Sequence, residues 1–148
     1  MLNKMAKLRK FSESLPMLLL KARETAMVRF RPLLQECGLT EQQWRVLRVL
    51  EDRGPLTATN LGRECSILAP SMTRIVRRLV ESNLVTTRRS VSDQREIEVR
   101  IAVDGSKLVA RLGPCMEEQY TVIRERLHPD EYQALTRTLK RLIATFDD

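Results

Sequence analysis

His128 is the only histidine of the 148-residue chain, and its three cysteines, Cys37, Cys65 and Cys115, stand far apart. One imidazole, placed before Pro129 where a loop is expected, cannot supply a Ser-His-Asp triad or a histidine metal site. No CxxC spacing is present, so neither a disulfide scaffold nor a zinc finger is indicated. Glu96 and Glu98 face the wet side of a strand pattern, and Glu117 and Glu118 are adjacent on a helix pattern. Neither pair has a metal-like partner in the sequence. Catalysis, a bound metal and a cofactor are not expected. Arginine is what the chain has in quantity: twenty of its 26 basic residues. The guanidinium fork matches phosphate and guanine edges. The chemistry on offer is recognition of a polyanion.

The basic residues are unevenly placed. The chain carries 26 basic and 19 acidic residues, a formal net charge of +7 and a pI near 9.8. Residues 1–11 hold Lys4, Lys7, Arg9 and Lys10 and no acid. Residues 74–95 hold Arg74, Arg77, Arg78, Arg88, Arg89 and Arg95 against Glu81 and Asp93. The rest is close to neutral. Two basic patches on a neutral body fit a nucleic acid better than a generally solvated surface. Length, 43% hydrophobic and 30% charged residues indicate one globular domain with an aliphatic core, since aromatics are only 4%. The longest uncharged apolar run, Leu15–Leu20, is far short of a bilayer span, and no signal sequence follows the basic start. A cytoplasmic protein without membrane contact is expected.

The elements that must position these arginines follow from periodicity. Residues 1–11 lack a core pattern and read as a basic arm. Apolar residues at 15, 18, 19, 22, 26, 30, 33 and 34 predict a long helix over 12–37, with Ser12 or Ser14 as cap, Pro16 in the first turn and Pro32 kinking or tightening the last turn. Thr40 with Gln43 forms a capping-box pattern for a second helix, buried through Trp44, Leu47 and Leu50 and ended by Gly54-Pro55. Thr57 or Thr59 caps a short third helix. A fourth, over about 69–82, turns Met72, Ile75, Val76 and Leu79 inward and its arginines outward. Val85–Arg89 reads as a strand, 90–94 as a polar turn, and Glu96–Ile101 alternates strictly as a second strand. Two long helices close the chain, over about 105–127 with a kink at Pro114 and over about 130–146.

Three short helices and a hairpin make a winged helix-turn-helix. The fold class is mainly α with a small β-hairpin wing. The 69–82 helix is the one to enter a major groove, with Ser71, Thr73, Arg74, Arg77 and Arg78 on its outer side. The wing carries Arg95 to a minor groove, with Asp93 placed to orient its guanidinium. Arg88 and Arg89 are expected at phosphates.

Leu61, the Thr73–Leu79 helix, Asn83-Leu84-Val85 and Asp93-Gln94-Arg95 together resemble the MarR family of bacterial transcription regulators. In that family a Gly-Leu-Val follows the recognition helix and an Asp-x-Arg marks the wing. Asn83 replaces the glycine, and Ala102–Gly105 stands where a Thr-x-x-Gly helix start is usual. Ser14–Glu24 and Leu39–Leu47 are similar to the branch that regulates homoprotocatechuate (hydroxyphenylacetate) degradation.

The resemblance implies a winged DNA-binding domain over 38–102, with helices 12–37 and 103–146 as dimerisation segments. Their apolar stripes exceed what one small head can cover. A twofold dimer predicts a near-palindromic double-stranded operator. The resemblance also implies a small phenolic or aromatic acid effector in the cleft between helices and head. Arg23 is the cation expected for its carboxylate, and Met17, Leu18, Met27 and Trp44 the expected wall. A repressor of aromatic catabolism is the leading expectation. The alternative is an oxidation sensor on the same fold, for which Cys65 is the better-placed thiol and Cys115 the inert one.

Overall fold

The computed structural model describes residues 7–147. The first six residues of the basic arm lie outside the described residues. Lys7–Lys10 are exposed and without regular structure, and a single 3-10 turn at Phe11–Glu13 leads into the first helix. Six helices follow: α1 (Leu15–Glu36), α2 (Glu41–Arg53), α3 (Ala58–Cys65), α4 (Ala69–Glu81), α5 (Val103–Leu127) and α6 (Pro129–Phe146). Three strands, β1 (Leu56–Thr57), β2 (Val85–Arg89) and β3 (Ile97–Ile101), form an antiparallel sheet in the order β1-β3-β2. The two-residue β1 is too short to leave an alternating pattern, and the sequence does not predict it. α1 and α5 continue without a break through Pro32 and Pro114.

Local chemistry fixes the boundaries. Thr40 and Gln43 make the reciprocal capping box, with bonds of 3.0 and 3.1 Å. Thr57, rather than Thr59, caps α3 through the Asn60 amide. Thr59 instead donates to Glu96 across to the wing. Ser14 stands at the N-cap of α1 without a side-chain bond. Between α4 and β2 the chain needs one left-handed residue, and Asn83 supplies it at φ 59°. Asparagine tolerates that region better than most side chains, which explains how it replaces glycine there.

The centre of the head is aliphatic. Leu47, Leu50, Leu61, Met72, Leu79, Val85 and Val99 are fully buried together with Leu34 of α1. Each such side chain stabilises the fold by about 1.5–3 kcal/mol through area removed from water. α5 begins directly against the end of this core. The Ala102 amide donates to the Leu84 carbonyl (2.9 Å), and one turn later Gly105 is buried against the same carbonyl. A Cβ at Gly105 would stand 2.3 Å from that oxygen and 2.7 Å from Ile101 Cγ1. Gly105→Ala is therefore expected to destabilise the protein by about 1–3 kcal/mol, the usual cost of overpacking. Thermal unfolding at fixed protein concentration should show a midpoint lower by about 3–10 °C. An unchanged midpoint would contradict the packing.

α6 is unlike the other long elements. It has no buried residue, and Leu135, Ile143 and Phe146 are 46%, 65% and 77% exposed. Leu15, Leu18, Leu19 and Leu20 at the start of α1 are exposed as well. No described helix is long and apolar enough to cross a membrane.

Candidate nucleic-acid interface and adjoining cavity

α4 is amphipathic in the expected sense. Met72, Ile75, Val76 and Leu79 are buried, while Thr73, Arg74, Arg77 and Arg78 are exposed and Ser71 is half-buried. Among the described residues none of these three arginines makes an ion pair, so all three remain available to an anion. The Thr73 hydroxyl donates to the Ala69 carbonyl (3.2 Å), a bond within the helix. The turn before α4 is tight. Ser66 is left-handed at φ 53°, and the Ile67 amide donates to the Gly62 carbonyl.

On the wing the arginines divide. The register pairs Arg88 with Glu98, and the Arg88 Nε donates to that carboxylate (2.8 Å), with Arg100 Nη2 at 3.6 Å from the same oxygen. Arg89 donates to the Gln94 carbonyl (2.8 Å). Both are thus engaged within the hairpin. The side chain of Arg95 is exposed and makes no hydrogen bond to the described residues. Asp93 does not hold its guanidinium. The carboxylate accepts from the Arg95 backbone amide (3.0 Å), the short two-residue return typical of an Asx turn. Its contribution is to the shape of the tip.

Behind the head lies a cavity of about 300 Å³ among α1, α2, α5 and the end of α3. Phe30, Trp44 and Tyr120 form its aromatic wall with Met27, Leu34 and Val49, and Arg23, Glu41, Arg45, Arg48, Glu64 and Cys65 are its polar and thiol lining. The Phe30 and Tyr120 rings meet at 4.9 Å between centroids, tilted by 51°. Arg23, Met27 and Trp44 are therefore brought together as expected. Met17 and Leu18 are not: they lie towards the start of α1, outside the lining.

The role expected of Arg23 is already filled. It donates to Glu24 (3.2 Å) and to Glu41, and Arg31 donates to the same two carboxylates. Burial pushes the Glu41 carboxyl up, but the hydrogen bonds from Arg23 and Arg31 together outweigh it and hold the group below its ordinary range. Two cations and two anions make a balanced cluster at the cavity edge. Arg48 is different. It lines the cavity and makes no ion pair with any described residue, and its charge reaches Tyr120. Burial pushes the Tyr120 phenol up, further raised by Tyr132 and Glu117, with Arg48 pulling it partly back. Tyr120 is thus a neutral hydrogen-bond donor and acceptor at neutral pH. Arg48 follows Trp44 by four residues, a one-face helical spacing that could have singled it out. Nothing local in the sequence brings Tyr120 across from α5.

Arg45 joins cavity to head. Its Nη1 donates to the Cys65 carbonyl at the end of α3 (2.6 Å), while its Nε is buried with no hydrogen-bond partner among the described residues.

The thiols differ from expectation in their surroundings. Cys65 is buried, and burial pushes its thiol up, with Arg45 lowering it only in part. A buried, protonated thiol is a poor peroxide sensor. Cys37 receives a contact from Arg111 Nη2 at 3.7 Å, and Cys115 is exposed. His128 links α5 to α6 and is exposed.

Comparison with known proteins agrees with this geometry. Residues 39–97 match the MarR family. The chain is 36% identical over 124 residues to the HTH-type transcriptional regulator FarR of Neisseria gonorrhoeae, covering 84% of this chain and 85% of that one. It is 36% identical over 132 residues to the homoprotocatechuate degradative operon repressor of Escherichia coli, covering 89% of each. The crystal structure of NadR in complex with 4-hydroxyphenylacetate superposes with a TM-score of 0.80 at 33% identity, over 93% of this chain and 97% of that one. Both of these relatives are regulators of transcription.

Proposed function

Because the chain belongs to the MarR family of transcriptional regulators, we propose that it is a homodimeric repressor of an aromatic catabolic operon, released by a small phenolic acid. Residues 38–102 are the DNA-binding head in this reading, and 12–37 with 103–146 the dimerisation segments. The unburied apolar stripe of α6 and the exposed leucines of α1 support a second copy as their cover. Two heads related by a twofold axis fit two half-sites of a near-palindromic operator. Arg74, Arg77, Arg78 and Arg95, which make no ion pair with the described residues, are the cations offered to it. Ser71 and Thr73 are its neutral contacts on α4. Arg88, Arg89 and Asp93 shape the wing, and the two arginines reach phosphate only by leaving their hairpin partners.

The observation that carries the effector is the cavity: an aromatic wall of Phe30, Trp44 and Tyr120 beside Arg48, a cation without an acidic partner among the described residues. A ring fits the wall, a carboxylate fits Arg48, and a phenol can exchange hydrogen bonds with polar groups at the other end. The relative that represses homoprotocatechuate degradation and the NadR structure holding 4-hydroxyphenylacetate support this class of ligand. Release follows from a population shift. An acid that draws the buried Arg45 Nε towards itself competes with the bond to the Cys65 carbonyl. That bond holds the end of α3 just before the turn into α4, so an effector that weakens it favours a second position of the head and lowers operator affinity by its differential affinity for the two.

Trp44 is the only tryptophan, so its emission reports the cavity directly. Titration with 4-hydroxyphenylacetate is expected to quench or shift it saturably. Arg48→Gln should weaken that binding about ten- to a hundredfold, the range of a lost charge-assisted hydrogen bond. It should leave binding of 4-ethylphenol, which has no carboxylate, unchanged. No saturable change in the wild type would overturn the effector reading.

A further inference from the structure

We propose that Leu68 reads DNA sequence, its side chain packing on the 5-methyl group of a thymine in the major groove. The proposal rests on the operator-binding reading above. Leu68 stands at the N-cap of α4 and is 81% exposed, and the next two residues, Ala69 and Pro70, are exposed too. The end of a recognition helix that meets base edges is its N-terminal end. Here that end presents three consecutive side chains without a polar atom, with Arg74, Arg77 and Arg78 following along the helix.

An exposed leucine alone is ordinary. Two features separate this one. First, the core does not use it: Ile67, the residue before, is buried and fills the space under the turn. Second, it occupies a position where a polar residue would stabilise the helix. Of the three helices of the head, α2 and α3 begin with Thr40 and Thr57, each accepting a backbone N–H, whereas Leu68 leaves the first amides of α4 without a side-chain cap. In the major groove the apolar feature of a base edge is the thymine methyl. The adjacent unpaired arginines supply the charge complementarity that brings a DNA backbone to this helix, so the occupant is a base edge and not a second protein.

The test uses the full chain and a duplex of the intergenic DNA upstream of its own gene, in two forms. One carries thymine and the other deoxyuridine at every thymine position. Loss of a methyl contact is expected to weaken wild-type binding about fourfold per half-site, and about fifteenfold for a two-headed dimer. Leu68→Ser restores a capping residue, so its fold should be at least as stable by thermal unfolding. It should bind the two duplexes equally. Equal binding of both duplexes by the wild type, or an undiminished preference for thymine in Leu68→Ser, would overturn the proposal alone. Failure of the wild type to bind the thymine duplex specifically would overturn the operator reading and this proposal with it.

Discussion

A chain carrying Leu135→Asp and Ile143→Asp is expected to be monomeric and to lose operator binding. Both side chains lie on α6, which contributes nothing to the core of the single chain. In a twofold dimer the two substitutions remove four aliphatic side chains from the interface. At about 1.5–3 kcal/mol for each side chain, the loss is about 6–12 kcal/mol before the penalty of burying carboxylates is added. Together with that penalty the loss is comparable to or larger than the whole association free energy of a micromolar dimer, about 8 kcal/mol. Sedimentation equilibrium should give the monomer mass at concentrations where the wild type gives twice that. Lys140→Gln, on the same helix and exposed, should remain dimeric. A dimeric double variant would show that the second copy packs elsewhere.

Arg74→Ala should show the largest effect of any single substitution on the DNA face. Arg74 lies in the second turn of α4, exposed, without an ion pair among the described residues. A bidentate arginine–guanine contact is worth about 1–3 kcal/mol. Both heads of a dimer lose it, so affinity should fall at least about 30-fold. Arg88→Ala should change affinity far less, because its guanidinium already serves Glu98. The salt dependence separates two roles for Arg74. A base contact leaves the salt slope unchanged and relaxes sequence preference; a phosphate contact lowers the slope and weakens all sequences alike. A loss below about threefold would remove Arg74 from the interface, since even the weak end of the bidentate range exceeds it in one head.

Much of the fold was legible because its signals are local. The Thr40–Gln43 box, the apolar spacing of Met72, Ile75, Val76 and Leu79, and the alternation of Glu96–Ile101 each fix an element within a few residues of chain. The free arginines of α4 follow from the same spacing. What escaped depends on register or on packing between distant segments. Opposition of Arg88 to Glu98 is a consequence of hairpin register, which decides that Arg88 is engaged. β1 is two residues that pair only because β3 passes beside them. The cavity shows the same limit most clearly. Trp44 and Met27 were reachable from helical spacing, and Arg23 was the conspicuous cation on the first helix. Its neutralisation by Glu41, eighteen residues away, and the arrival of Tyr120 from α5 are tertiary facts. They are why the proposed effector site takes Arg48, and not Arg23, for the carboxylate.

Operator binding that a phenolic acid relieves is the property proposed for this chain. Its most direct test is fluorescence anisotropy of the labelled upstream duplex, titrated with the protein at moderate salt with and without saturating 4-hydroxyphenylacetate. Binding is expected to be saturable, to survive excess nonspecific DNA, to weaken steeply with salt, and to be weakened about fivefold or more by the acid, the lower end of ordinary allosteric coupling. Binding that excess nonspecific DNA abolishes, or that the acid leaves unchanged while Trp44 reports the acid bound, would contradict it.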